Sequence, residues 1–413
     1  MPTAVILASP SAGARVAGLS SLDRLVLTAL QAGIVRIILL SDEPESARRM
    51  LRPTSLTRAE IQILPADSAA ARSVLLALAA DPAPFVLLRT DIAVDPQYVR
   101  RLLAAGGPSG GAVLGEDSAG NWLGIGCLPA RFAPRVIADD LTAAELRSGE
   151  PSQGLPPDPG FAVRLASPSG RRRAERALVR GTGKASDGLV SRYLNRPISR
   201  AISRVLIQLP VTPNGVTFFG VLLSLLSTWF VLRGQFVAGT LLIQLTSILD
   251  GCDGEIARAK FLSSPQGERV DRLADSVGNI LFGVALPLGL YRTSGNPLYL
   301  WLGGFLLLSV PILLALVHLN SRAEHYHHTT GRLQARFASR PVLAMIITGI
   351  TQLFSHDSLA LLALLLALLG AMPVFLYLIV VGTAAYYWLL LARARQPAAP
   401  WGPEAPYAPG PPS

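Results

Sequence analysis

Two unlike halves are expected of this chain. An N-terminal α/β domain built on a mainly parallel sheet precedes an all-α, polytopic membrane domain of six transmembrane helices. Three observations lead there. Up to about residue 210, short apolar runs alternate with helix-like stretches and charge is interspersed throughout. Beyond that point come apolar runs long enough for a ~30 Å hydrocarbon core, which takes about 20 helical residues. Between the two, basic side chains crowd the stretch from Arg171 to Arg204.

In the first half the strand-like runs are Ala4 to Ala8, Val35 to Leu40, Ile61 to Leu64 and Phe85 to Leu88, with helix-like segments Leu22 to Ala32 and Ala69 to Ala80 among them. Short, continuously apolar strands separated by helices are the mark of a sheet covered on both faces. The Pro/Gly-rich stretch Pro151 to Gly160 is expected as a loop, and the basic segment Arg171 to Val179 as a helix still packed on this domain. Gly181-Thr-Gly183 then makes a break. The expected domains are 1–184, a membrane domain at 185–395, and a Pro-rich, disordered tail at 396–413.

The six spans are expected at Thr212 to Leu232, Phe236 to Arg258, Arg272 to Tyr291, Leu298 to His318, Leu359 to Leu369 and Pro373 to Ala392. Pro341 to Phe354 is expected as an interfacial helix before the fifth. Six crossings place both ends on one side. The connections assigned outside hold only Arg233 and Arg292, whereas the inside ones hold Lys260, Arg269, Arg322, Arg332, Arg336, Arg340, Arg393 and Arg395, as positive-inside bias requires. The start of the chain lacks a signal-peptide pattern, so the first domain is expected in the cytoplasm.

The net charge of +10 over 413 residues would suit nucleic acid. Its concentration beside the first span instead favours anionic lipid headgroups, and no nucleic-acid partner is expected. Cys127 and Cys252, one in each half, imply no disulfide framework and are read as small buried side chains.

The chemistry is concentrated in Asp250-Gly-Cys-Asp253-Gly254-Glu255-Ile-Ala257-Arg258, followed by Gly267, Asp271 and Asp275. Carboxylates at the ends of apolar helices are costly and functional by default. Asp250 and Asp253 are three apart and Asp271 and Asp275 four apart, so each pair shares a helix face. A short connection makes the two helices antiparallel and lets both faces converge. Four close carboxylates repel unless a cation neutralises them, and oxygen ligands without a Cys–His set suit Mg²⁺ or Mn²⁺. Four could hold two ions, which would clamp a pyrophosphate. Gly254 and Gly267 allow close backbone approach, and Arg258 offers a fork for phosphate. The bland alternative pairs these acids with Arg258, Lys260 and Arg269 at helix ends.

The same residues resemble the CDP-alcohol phosphotransferase family. Its signature is Asp, two residues, Asp-Gly, two residues, Ala-Arg, eight residues, Gly, three residues, Asp, three residues, Asp, and this sequence matches it without departure. The resemblance implies cleavage of a CDP-linked donor at its pyrophosphate, transfer of the substituted phosphate to an alcohol or inositol phosphate acceptor, and release of CMP. It further implies that Asp250, Asp253, Asp271 and Asp275 bind two divalent ions, that Asp275 is the general base, and that Gly254, Ala257, Arg258 and Gly267 shape the CDP site. It also implies a homodimer.

The stretch from Asp187 to Asn214 is similar to that of members with an N-terminal cytidylyltransferase-like domain, including the bifunctional enzymes that make CDP-inositol and then di-inositol phosphate phosphate. Arg192, Arg196 and Arg200, at helical spacing, are open to two readings, acceptor phosphate or lipid headgroup.

The first half itself resembles the nucleotidyltransferase fold, in which a Gly-rich loop and a Pro-Lys cradle nucleotide phosphates. Here the loop Ala8 to Val16 has only Gly13 and Arg15, no Pro-Lys follows near Ser20 to Arg24, and no lysine precedes Lys184. Asp91 stands where a metal-binding aspartate could. The domain is therefore expected to be degenerate. His325-Tyr-His327-His328 is read as a solvated loop. Three functions are carried forward: a transferase using CDP-diacylglycerol or a similar donor, a di-inositol phosphate phosphate synthase using CDP-inositol, and a non-catalytic cation-binding scaffold or transporter.

Overall fold

The computed structural model describes residues 2–106, 111–117, 119–137, 141–148, 152–158, 160–182, 188–320 and 355–394. Lys184, His325 to His328, Pro341 to Phe354 and the tail after Gln396 lie outside these residues. The chain gathers into two compact units, one of 1–187, 192–217 and 248–271, the other of 188–191, 218–247 and 272–413.

The first unit is built on a seven-stranded sheet. Its parallel core is β1 (Thr3–Leu7), β4 (Arg36–Ser41), β5 (Glu60–Pro65) and β6 (Phe85–Arg89). Beyond β6 come β9 (Trp122–Leu128), β8 (Val113–Glu116) and β10 (Gln153–Leu155), giving the order β10-β8-β9-β6-β1-β4-β5. Period-two alternation divides the apolar runs between two cores. Ala4, Ile6, Ile37, Leu39, Val86 and Leu88 pack with α1 (Ser21–Gln31) and α5 (Pro96–Ala105). Val5, Ile38, Leu40, Phe85 and Leu87 pack with α4 (Ala69–Ala79). Both faces are covered, which is why these strands read as unbroken apolar runs. The stretch expected as a loop, Pro151 to Gly160, contains β10. It pairs parallel with β8 and supplies the Leu155 carbonyl that accepts the Tyr98 hydroxyl at 2.5 Å.

A two-stranded hairpin follows β1, made of β2 (Arg15–Val16) and β3 (Leu19–Ser20), with Ala17 and Gly18 at positive φ in its turn. Ser20 then caps α1 by accepting the Asp23 amide. The basic helix α7 (Pro168–Arg180) packs on this unit through Ala174 and Val179, as expected. It is followed by α8 (Arg196–Leu206). Val179, Ile207, Val216, Cys252, Ile256 and Ala259 form one apolar cluster within the unit.

Among the described residues three helices are long and apolar enough to cross a membrane: α9 (Pro213–Leu232), α10 (Phe236–Ala259) and α11 (Pro265–Ser294). The later helices α12 (Leu298–Asn320), α13 (His356–Leu368) and α14 (Met372–Ala394) form where the fourth to sixth spans are expected. Helix α11 starts seven residues before the expected Arg272, at Pro265. Its first turns are too polar to read as a span, yet Ser264 caps them by accepting the Gly267 amide at 3.0 Å.

In the second unit Val231, Leu286, Leu290, Tyr299, Ala363 and Phe375 share a core. A Cβ at Gly289 would lie 2.1 Å from the Val231 carbonyl oxygen, and backbone cannot yield as a side chain can. Gly289→Ala is expected to cost about 1–3 kcal/mol by overpacking. Thermal unfolding in detergent checks it, with Gly283→Ala as the neutral comparison because nothing lies within 4 Å of that position.

Candidate active site

The signature carboxylates sit on two consecutive helices. Asp250 and Asp253 belong to α10, Asp271 and Asp275 to α11. In the first unit, Asp250 and Asp271 offer carboxylate oxygens within 4.8 Å of each other. Asp275 stands one turn after Asp271 on the same continuous helix, and that pair also offers oxygens within 4.8 Å. All three side chains are half-buried. Two oxygens on opposite sides of a Mg²⁺ ion, each at 2.0–2.1 Å, are about 4 Å apart, so the spacing and the all-oxygen donor set fit a small hard cation. Among the described residues no other cluster of His, Cys, Asp or Glu meets that geometry.

Asp253 is held differently. It is 6% exposed and accepts a 2.6 Å hydrogen bond from the Thr217 hydroxyl on α9. Sequence reasoning passed over Thr217 because a threonine in an apolar helix carries no distinctive signal.

The neighbouring signature residues prepare a surface around these acids. A Cβ on Gly254 would lie 3.1 Å from Arg258 Nη1, so the bare glycine leaves room for that guanidinium. Ala257 is half-buried on the same turn. Gly267, in the first turn of α11, would bring a Cβ to 3.2 Å from Ser264 Oγ and 3.8 Å from Asn214 Oδ1.

Glu255 lies inside the signature and receives no role from the sequence. It is fully buried, and its Oε1 accepts from Arg196 Nη1 at 3.2 Å and from Ser199 Oγ at 2.8 Å. Arg196 is itself 7% exposed. Of the three arginines considered for an acceptor phosphate, Arg196 is thus engaged with Glu255, Arg192 is exposed and Arg200 is half-buried. The overlooked signal was a glutamate in the last turns of an apolar helix, which needs a cation nearby.

In the α/β domain, Asp91 is occupied by ion pairs with Arg89 at 3.3 Å and Arg164 at 3.8 Å. Arg15 of the expected phosphate loop is exposed. Cys127 and Cys252 are free and buried, and burial pushes the Cys127 thiol up to about 11.

Residues 210–372 match the family model for CDP-alcohol phosphatidyltransferase. The chain is similar to the bifunctional IPC transferase and DIPP synthase of Thermococcus kodakarensis, 43% identical over 129 residues, which is 31% of this chain and 28% of that one. It is similar to the protein of the same name from Rubrobacter xylanophilus, 29% identical over 389 residues, covering 82% of this chain and 86% of that one. The latter alignment takes in more of the chain than the helical half alone can supply. The CDP-diacylglycerol–serine O-phosphatidyltransferase of Mycobacterium leprae is 36% identical over 123 residues, 30% of this chain and 40% of that one.

Proposed function

Since residues 210–372 belong to the CDP-alcohol phosphatidyltransferase family, we propose that the chain is a metal-dependent membrane transferase acting on a CDP-linked donor, such as CDP-diacylglycerol, and an alcohol or inositol phosphate acceptor. The observation that carries the reading is the approach of the Asp250 and Asp271 carboxylates to metal-ligand spacing, with Asp275 one turn after Asp271 on its helix and Gly254 one turn, Arg258 two turns, after Asp250. The acceptor hydroxyl oxygen attacks the donor's outer phosphorus. A new P–O bond forms as the pyrophosphate P–O bond breaks, and CMP leaves with the bridging oxygen. Asp275 takes the hydroxyl proton. Arg258 steadies the phosphate oxygens in the space Gly254 leaves open. Bound Mg²⁺ or Mn²⁺, two ions in this reading, neutralises charge on the pyrophosphate and the departing CMP. Asp250, Asp253, Asp271 and Asp275 would hold these ions, with Asp253 leaving Thr217 to do so.

The accompanying architecture is a six-span membrane domain with the α/β domain and the active site on the cytoplasmic side, and a homodimer in the bilayer. The α/β domain contributes no nucleotidyl transfer, as the pairing of Asp91 and the lysine-free loop favour. A second reading, di-inositol phosphate phosphate synthesis from CDP-inositol, is favoured by the extended similarity to the Rubrobacter xylanophilus protein. A non-catalytic scaffold would keep the ion and release no CMP.

The test is CMP release by the purified protein in liposomes with Mg²⁺, using CDP-diacylglycerol or CDP-inositol against a panel of alcohols. Release with one pair, lost in Asp275→Asn, is the expected result. Failure to bind either CDP or a divalent ion would overturn the enzyme reading.

A further inference from the structure

The C-terminal end of helix α10 accounts for each of the four carbonyls from Ala257 to the capping residue Lys260, groups that a helix end leaves without intrahelical partners. The Leu262 amide donates to the Ala257 carbonyl at 2.8 Å and the Phe261 amide to the Arg258 carbonyl at 3.3 Å. These two bonds make a Schellman cap. Its left-handed residue is Phe261, at φ 54°, although that conformation strains any residue other than glycine.

The two remaining carbonyls are taken by the α/β domain. Arg24 Nη2, from the first turn of α1, donates to the Ala259 carbonyl at 2.8 Å. Arg52 Nη2 donates to the Lys260 carbonyl at 3.2 Å.

Further contacts surround this arrangement. Arg24 is 2% exposed, and its Nε and Nη2 also reach the Val16 carbonyl at 3.2 and 3.0 Å, tying the β2–β3 hairpin to the helix end. The Phe261 ring lies 5.5 Å from the Arg24 guanidinium carbon, a cation–π contact that supports the strained residue. Asp23 anchors Arg52 through Nε at 3.0 Å and its amide at 3.1 Å. The Lys260 side chain turns back to the carbonyls of Leu209 at 2.6 Å and Val211 at 3.0 Å. Burial pulls Arg24 down to about 9, still a cation at neutral pH. A positive charge there also suits the negative end of the helix dipole.

We infer that Arg24 and Arg52 are positioning residues for the transferase. They complete the cap of α10 and so fix the turn that carries Ala257 and Arg258 against the donor. The first turn of α1, where a nucleotidyltransferase would handle phosphates, holds a helix end instead. This role rests on the transferase reading given above. It also gives the α/β domain a task in the reaction without any chemistry of its own.

Hydrogen exchange and CMP release on full-length Arg24→Met, Arg24→Lys and Arg52→Met, in the same detergent, test it. For Arg24→Met, protection of amides 260–262 should fall about tenfold or more. The KM for the CDP-linked donor should rise by a similar factor, with little change in kcat, because Arg258 contacts the donor. Arg24→Lys, with one compact donor group in place of a fork, should recover part of both. Unchanged exchange at 260–262 in folded Arg24→Met would overturn the inference, and so would lost protection without a donor effect. Should Arg24→Met not fold, the same two readings on Arg52→Met decide. If the wild type releases no CMP from any donor, the transferase reading fails by itself. Exchange at 260–262, with CDP binding in place of KM, then decides the cap.

Discussion

Asp271→Asn is expected to lower divalent-metal affinity and CMP release by at least about 100-fold, since even residues one step removed from a metal ligand cost roughly 10–100-fold. Asparagine keeps the shape of the side chain and one oxygen. It removes a negative charge beside Asp250, whose carboxylate oxygen lies within 4.8 Å of that of Asp271, and one turn before Asp275 on the same helix. Mn²⁺ binding followed by electron paramagnetic resonance, together with CMP release at saturating donor, checks the prediction. Asp253→Asn provides an informative contrast. Asp253 rests on Thr217, so its loss should spare the first ion and change the metal dependence of turnover only if a second ion is recruited. A full loss of Mn²⁺ binding in Asp253→Asn would contradict the division of the four carboxylates described here.

Arg196→Met is expected to destabilise the protein by about 3–5 kcal/mol, the cost of leaving a buried charge without its partner. Glu255 has no exposure to share the burden, and Ser199 offers it only a neutral hydrogen bond. Glu255 Oε2 is already buried without a hydrogen bond, so the carboxylate has little reserve. The double change Arg196→Met, Glu255→Met removes both charges and should recover most of the loss. Thermal unfolding of the three proteins in one detergent reads the difference. Near-wild-type stability in Arg196→Met would mean that the glutamate is not held as a buried anion.

Much of this architecture was legible beforehand because its signals are local. Strands such as β1, β4 and β6 announce themselves through continuous apolar runs, and α9 and α10 through length and hydropathy. The acidic signature is equally local, since spacing along a helix determines which carboxylates share a face. What the sequence withheld were pairings across long separations. Nothing local to Arg24 says that it meets the carbonyl of Ala259, and nothing local to Arg196 distinguishes it from Arg192 and Arg200, which share its spacing and charge. The edge strand β10 was hidden for a related reason. A three-residue strand in a Pro/Gly-rich stretch has too little pattern of its own, and its partner β8 decides its conformation. Thr217 likewise gains significance only from the neighbour that Asp253 becomes in three dimensions.

The cap of α10 also bears on how such a gene can change. If the first domain carries out no nucleotidyl transfer, it would ordinarily be free to shrink, split away or disappear. Here, deletion of the first domain would remove the cations that close the helix end and uncover Ile207, Val216 and Ile256, which Ala17 and Val179 help to bury. Each half has become the other's scaffold, and a lineage that discards the first must rebuild the end of the helix in the same step. Retention of the α/β domain then needs no surviving nucleotide chemistry. Its side chains should be freest to drift around Asp91 and most constrained around Arg24, Asp23 and Arg52.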